Sequence, residues 1–420
     1  MSFEEFGLDA SIVSGIKSSG YTTPTPVQSK TIPHALMGQD VMGLAQTGTG
    51  KTAAFVLPML NRLISQQTAK AGASARRKVR ALILAPTREL AEQIDENIKA
   101  LGRTTALKSM TIYGGSSIVN QVRKLQEGVD IIVACPGRLL DHINHSKVSL
   151  SSLEVLVLDE ADRMLDMGFM PDIKRILKHV PAKRQTLLFS ATMPDDIRQL
   201  TRQMMNQPVI VQVDHSMPAK TVSHALYPVA EHLKTPFLIR LLKDINSESV
   251  LVFTRTKHRA KRVTDKLQRD GFMATPLQGN MSQGKRQESL NGFKSGKYRI
   301  LVATDIAARG VDVSGITHVI NYDMPDTADA YTHRVGRTGR AACTGEAFTF
   351  VTHADKPTVR SFERIMGMQL VCREIEGFDY NASASAEKEA AVRHNQSVQK
   401  QMAQPYGRSR PAQPRARRRA

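Results

Sequence analysis

The chain has 420 residues, 41% apolar and 23% charged, which suits two ordinary domains with buried cores and a tail. Fifty-eight Lys and Arg against thirty-nine Asp and Glu leave a formal charge of +19, which points to a polyanion, nucleic acid first, as partner. Three widely spaced cysteines indicate neither a disulfide framework nor a cysteine zinc site, and no apolar run approaches the ~20 residues of a membrane span.

The start, MSFEEFGLDA, carries acidic residues and no apolar core, which predicts a cytoplasmic protein without a signal peptide. Short apolar runs then alternate with amphipathic stretches, and strands are predicted from Val41, Ala81, Asp130, Val155, Thr186 and Val209. Continuous apolar strands separated by helices imply parallel sheet covered on both faces. Directly after the first strand comes Ala45-Gln46-Thr47-Gly48-Thr49-Gly50-Lys51-Thr52. A glycine-rich turn between strand and helix lets backbone N–H groups converge on a phosphate, and the helix N-terminus adds its dipole. Lys51 supplies a charge for the β and γ phosphates, and the Thr52 hydroxyl suits Mg²⁺. Arg76, Arg77, Lys78 and Arg80 form a small basic cluster, expected to be a solvated loop. Asp159-Glu160-Ala161-Asp162 ends the strand from Val155, and the carboxyl ends of parallel strands face ligands. Asp159 is expected on the metal and Glu160 near the attacking water, although alone the tetrad also reads as a capped helix start.

Residues 214–220 are polar with a proline and are expected to be a linker. Strands are predicted again from Val250, Arg299, Thr317 and Glu346, so two α/β domains are expected, 1–213 and 221–380. HRVGRTGR spaces Arg334, Arg337 and Arg340 at intervals of three, which by itself also describes a basic helix face. Residues 381–420 hold nine Lys or Arg against two Glu and lose apolar periodicity, so a disordered basic tail is expected.

Taken in order, eleven motifs resemble those of the DEAD-box RNA helicases, over residues 1 to about 375. In the first half they are GYTTPTPVQ (20–28), AQTGTGKT (45–52), PTREL (86–90), GG (114–115), PGR (136–138), DEAD (159–162) and SAT (190–192). VFTRT (252–256), QGNMSQGKR (278–286), ATDIAARGVD (303–312) and HRVGRTGR (333–340) follow in the second. The set is most similar to the bacterial RhlE-type branch. The resemblance implies two tandem RecA-like domains with parallel sheets, ATP and Mg²⁺ as cofactors, and RNA-stimulated ATP hydrolysis coupled to local duplex unwinding.

It also implies roles. Tyr21 resembles the aromatic that stacks on adenine, and Phe3 the upstream aromatic supporting it. Gln28 resembles the amide that reads the base, with one donor and one acceptor to offer. Thr47, Gly48, Thr49 and Gly50 would cradle the phosphates with Lys51 and Thr52, and Asp312 would bond the ribose. Arg337 and Arg340 would reach the γ-phosphate from the second domain, Arg340 as the arginine finger. His333 would couple that motif to the first domain, and Ser190-Ala191-Thr192 would link hydrolysis to strand separation. With phosphate loop and finger on different domains, hydrolysis requires closure.

Arg88, Gly115, Arg138, Arg286 and Thr304 are placed by resemblance against RNA, mostly for phosphate contact. The chain has no Trp and 5% aromatics, which argues against a base-stacking platform and for largely sequence-independent binding of single strands and short duplexes. Cys135 stands where the family usually has Thr, and Gln278 where it often has His. A DNA translocase of the same superfamily and a non-catalytic RNA clamp are the competing readings. The GYTTPTPVQ segment opposes the first; intact Lys51, Glu160 and Arg340 oppose the second. Ribonucleoprotein, ribosome-assembly and RNA-decay complexes are the partner classes left open, and no membrane partner is expected.

Overall fold

The computed structural model describes residues 2–45, 48–68, 77–213, 222–245, 248–308, 313, 315–339 and 344–383. The expected 214–220 linker lies outside them, as does the tail from residue 384.

Among the described residues, the first half contributes β1 (Val41–Leu44), β2 (Ala81–Leu84), β3 (Ser109–Ile112), β4 (Ile131–Ala134), β5 (Val155–Leu158), β6 (Gln185–Ser190) and β7 (Val209–Gln212). They form one parallel sheet in the order β3-β4-β2-β5-β6-β1-β7. The second half contributes β8 (Val222–Pro228), β9 (Val250–Phe253), β10 (Ala274–Leu277), β11 (Ile300–Ala303), β12 (His318–Asn321), β13 (Gly345–Val351) and β14 (Val371–Cys372). Their sheet, also parallel, runs β10-β11-β9-β12-β13-β8-β14. Counted from β8, this is the strand order of the first sheet, so the two halves share one topology.

The apolar runs are continuous because each strand feeds two cores. Ala81, Ile83, Val155 and Val157 face one side of the first sheet with Phe55 and Leu60 of helix Lys51–Thr68. Leu82, Leu84, Leu156 and Leu158 face the other. Val250 and Val252 are likewise split from Leu251 and Phe253 in the second sheet. Helices on both faces exclude water from strands that an antiparallel, one-sided sheet would leave half exposed.

Four strands were not legible as apolar runs. β3, β10 and β14 are edge or terminal strands, and β10 contains Pro276, which an edge tolerates because a ladder donor is dispensable there. β8 is interior, but Ser223 and His224 interrupt its pattern; Nδ1 of buried His224 bonds the Tyr331 hydroxyl at 2.8 Å. Packing in the second domain runs on to Ala382, whose carbonyl lies 2.8 Å from His232 Nε2. Among the described residues, no helix is long and apolar enough to cross a membrane.

Strand order decides what meets at the carboxyl edge. In the first sheet β5, β6 and β1 are neighbours, so DEAD, SAT and the glycine-rich loop emerge side by side. β3, β4 and β2 are neighbours too, and bring GG, PGR and PTREL together.

Candidate nucleotide and RNA site

Helix Lys51–Thr68 begins at the end of the glycine-rich loop, with Thr52 half-buried in its first turn. Lys51 is 6% exposed and its Nζ donates to the Ala45 carbonyl at 2.9 Å, so the loop wraps its own lysine. Gly48 is exposed with φ +87°, and Thr49 is half-buried; Thr47 lies outside the described residues.

The GYTTPTPVQ segment grips this loop from outside. Thr25 and Gln28 form a capping box at the start of helix Pro26–Leu36, Gln28 Oε1 accepting from the Thr25 N–H at 2.9 Å. Gln28 Nε2 donates to the Gly50 carbonyl at 3.0 Å, and Thr25 Oγ1 donates to the Thr49 carbonyl at 2.8 Å. Gln28 thus keeps one amide hydrogen and one lone pair for another partner. Gly50 has φ +88°, and a Cβ there would come within 2.6 Å of Gln28 Nε2, so both backbone and packing require glycine. Tyr21 stands edge-on to buried Phe3, with ring centroids 6.1 Å apart at 89°.

At the end of β5, Asp159 is 2% exposed; burial pushes its carboxyl up to about 6, with Lys51 pulling it down and Glu160 pushing it up. Glu160 occupies the left-handed region at φ 52°, ψ 53°, which costs a non-glycine residue about 1 kcal/mol or more. Its Oε2 accepts from Arg163 Nη1 at 2.6 Å. Asp162 Oδ2 accepts from the Ala191 N–H at 3.0 Å, the Thr192 N–H at 2.9 Å and the Thr192 hydroxyl at 3.2 Å. Ser190 Oγ in turn accepts from the Asp162 N–H at 3.3 Å. The last DEAD carboxylate and the SAT segment are therefore one hydrogen-bonded unit.

Across from them lies the second domain. A cavity of about 370 Å³ has Asp162, Arg163 and Thr192 on one wall and Asp305, His333 and Arg337 on the other. Burial and then the Arg163 guanidinium push the His333 imidazole down to about 4; Asp162 and Glu160 pull it up, and Arg337 pushes it down. Arg337 is buried on the same wall. Arg334 differs, being a clamp within the second domain. Its Nε and Nη2 each bond one oxygen of Asp305 at 2.6 Å, its Nη1 donates to the Asp323 carbonyl at 2.7 Å, and it stacks over Phe253. Arg340 and Asp312 lie outside the described residues.

At the β3-β4-β2 end, Gly115 has φ +80° and a Cβ there would collide with the Arg88 guanidinium, so Arg88 lies directly over it. Arg138 Nη1 donates to the Ser116 carbonyl at 3.4 Å, completing a cluster of the three first-domain residues expected to face RNA. Thr304, at the end of β11, is buried with its N–H on the Leu277 carbonyl at 3.4 Å. Arg286, expected against the RNA as well, has its guanidinium engaged by protein. Its Nε donates to Glu89 Oε1 at 2.7 Å, and Nη1 and Nη2 reach the Gln278 and Ala307 carbonyls at 3.4 and 3.3 Å. This ion pair joins the two domains, with side-chain exposures of 12% for Arg286 and 8% for Glu89. Arg88 Nη1 also crosses, to Gln283 Oε1 at 3.3 Å.

Residues 25–200 match the family model for the DEAD/DEAH box helicase, and residues 233–342 match that for the helicase conserved C-terminal domain. The chain is 46% identical over 362 residues to the ATP-dependent RNA helicase CshA of Listeria monocytogenes, covering 86% of this chain and 68% of that protein. It is 45% identical over 372 residues to the DEAD-box ATP-dependent RNA helicase CshA of Geobacillus kaustophilus, covering 86% and 78%. The chain belongs to the DEAD-box ATP-dependent RNA helicases. Among solved structures, S. cerevisiae Dbp5 bound to RNA and ADP BeF3 superimposes with a TM-score of 0.78 at 28% identity, covering 94% of this chain and 99% of that one. The two parallel-sheet domains are thus the RecA-like pair of the DEAD-box fold.

Within this DEAD-box helicase, Cys135 occupies the N-cap of helix Pro136–Asn144 without a side-chain bond to it. Thr87 and Thr256 cap helices Arg88–Leu101 and Lys257–Arg269 by accepting from Leu90 N–H and Arg259 N–H. Burial pushes the Cys135 thiol up to about 12, so this residue is neutral filling where a hydroxyl would cap. Gln278 bonds within its own loop, its Oε1 accepting from the Asn280 N–H at 2.7 Å. Sequence reasoning gave no role to Thr25, Glu89 or Asp162. A signal existed for the last two, since an acid beside an RNA-facing arginine and a third carboxylate in DEAD each needed a partner.

Proposed function

We propose that this chain hydrolyses ATP when its two domains close on an RNA strand, and that the closed state separates short RNA duplexes. The supporting observation is the cleft itself, where Asp162, Arg163 and Thr192 of one domain face His333 and Arg337 of the other. Neither domain holds the whole site, so closure and hydrolysis are coupled.

In this reading Gly48, Thr49, Gly50 and Lys51, with Thr47, hold the phosphates, Tyr21 and Gln28 take the adenine, and Asp312 takes the ribose. Asp159 and the Thr52 hydroxyl are hard oxygen donors, and a carboxylate as buried as Asp159 favours a nearby cation, so the pair fits Mg²⁺. Held by this pair, Mg²⁺ would offset charge on the phosphates. Glu160 accepts the proton of the attacking water, whose oxygen bonds the γ-phosphorus as the β–γ bridging bond breaks to ADP. Arg337 and Arg340 oppose the charge that develops, a role worth about 10³–10⁵ in rate for an arginine finger. His333, neutral between Arg163 and Asp162, transmits the approach of the second domain to the DEAD–SAT unit. Arg88, Gly115, Arg138 and Thr304 hold the RNA backbone, and Arg286 supports the strand from its closure contact with Glu89.

Three finer points belong to the same proposal. The domains extend over 1–213 and 221–380, the protein works in the cytoplasm, and its motif set favours the RhlE-type branch even though the relatives named above are CshA proteins. Displacement of a labelled strand from a short RNA duplex tests the function. It should require ATP and be abolished in Lys51→Ala; displacement by the variant at the wild-type rate would overturn the reading.

A further inference from the structure

Helix Lys257–Arg269, which follows β9, carries positive charge that the cleft does not use. Lys257 and Lys261, and beside them His258, Arg262, Lys266 and Arg269, form two adjacent rows spaced by three and four, so they share one broad face, and they line a groove of about 620 Å³. The opposite face, with Ala260, Val263, Thr264 and Leu267, is buried. A charged helix face is ordinarily a solvated surface balanced by i,i+4 ion pairs worth little individually. Here the balance is incomplete. Asp265 lies 3.2 Å from Lys261 and Asp270 4.0 Å from Lys266, while Arg262 and Arg269 make no ion pair among the described residues.

The groove also has a direction. Lys257 Nζ donates to Asn280 Oδ1 at 3.1 Å, and Asn280 and Gln278, from the loop after β10, form its far wall. The Gln278 carbonyl accepts from Arg286, so the stripe begins beside the closure contact and leads away from the cleft. Twelve steps of helix span about 18 Å. At about 3.4 Å per phosphate, that matches a run of about five phosphates in one strand of a duplex. No Phe, Tyr or Trp lines the groove among the described residues, so it offers charge to a backbone and, apart from the His258 ring, little to a base.

We propose that this stripe is a second RNA-binding surface, a phosphate track on the second domain that holds RNA continuing beyond the cleft. The proposal rests on the RNA-binding reading of the cleft. An acidic protein segment would meet the same charge, but continuity with the Gln278–Asn280 loop favours the strand that leaves the cleft.

The test replaces Lys261, Arg262, Lys266 and Arg269 together by Gln and measures binding of two oligouridylates with a non-hydrolysable ATP analogue. One fills only the cleft; the other extends well past it. With about half of the four charges engaged, the slope of log affinity against log salt for the long RNA should flatten by about 1.4. If the lines converge near about 1 M salt, binding at about 0.1 M weakens roughly 25-fold. The short RNA should bind as before, and a variant exchanging Lys and Arg at the four positions should bind both RNAs like wild type. Unchanged binding of both RNAs by the Gln variant would overturn the track and leave the cleft reading intact. Equal loss of both would overturn it as well, by showing that the stripe acts only through the cleft or the fold. Failure of wild type to bind either RNA would instead sink the cleft reading.

Discussion

Replacing Glu89 by Ala isolates the cost of domain closure from the cost of folding. Glu89 and Arg286 are nearly buried in the closed arrangement, yet they belong to different domains, so opening exposes both to water. Removing one partner of a buried ion pair typically costs about 3–5 kcal/mol, because the other charge is left unpaired. Arg286 retains the Gln278 and Ala307 carbonyls, each contributing part of what a charged donor needs, so about 2–3 kcal/mol is expected here. That corresponds to a closure constant about 30- to 150-fold smaller. The assay is RNA affinity with and without a non-hydrolysable ATP analogue. Only the affinity in the analogue should fall, by that factor, while the thermal midpoint of each domain stays within a degree or two of wild type, since the pair does not bridge elements of either core. Exchanging the charges, Glu89→Arg with Arg286→Glu, should recover much of the loss. An unchanged affinity in the analogue would refute the assignment of this pair to closure.

Other expectations follow from the same cleft and its margins. Glu160→Gln keeps size and polarity but loses the base, so the variant should bind ATP, close, and release RNA more slowly in ATP than wild type; fast release without hydrolysis would remove Glu160 from that role. Burial first and then Arg163 of the facing domain hold His333 near 4 in the closed cleft, and opening removes the Arg163 contribution, so the opened enzyme binds more protons between 4 and the free-imidazole value of 6.5. Closure is therefore fully favoured above pH 6.5 and weakens as pH falls toward 4. Analogue-dependent RNA affinity should drop, by about tenfold at most, from about pH 7.5 to about pH 5.5, and His333→Gln should flatten the profile. Cys135→Thr should add a cap worth about 1 kcal/mol, read as a rise of about 2–4 °C in the first domain's melting midpoint.

The nucleotide machinery was legible because phosphate chemistry needs contiguous residues. Lys51 and its glycines fall within eight positions, DEAD within four, and both leave strands that are unbroken apolar runs. Gln28 was legible as the amide that closes the GYTTPTPVQ segment, but not its bond to the Gly50 carbonyl, which depends on how two loops meet. Spacing could not separate Arg334 from Arg337. They lie three residues apart on one motif and line the same cavity, and only the fold brings Asp305 and Phe253 to the former as a clamp. Arg286 shows the same limit from the other side. Its partner Glu89 lies 197 residues away in the chain, so no local pattern could reveal that this basic residue pairs with the other domain. The edge strand β10 was hidden by Pro276, and β8 by exposed Ser223 and by His224, whose Nδ1 bonds the buried Tyr331 hydroxyl.

The central claim is that hydrolysis waits for closure on RNA. Steady-state ATP turnover of the full chain, measured alone, with a single-stranded RNA and with DNA of the same sequence, tests it directly. Turnover should be slow alone, rise strongly and saturably with RNA, and respond little to DNA. Turnover that is equally fast in all three conditions would contradict the account.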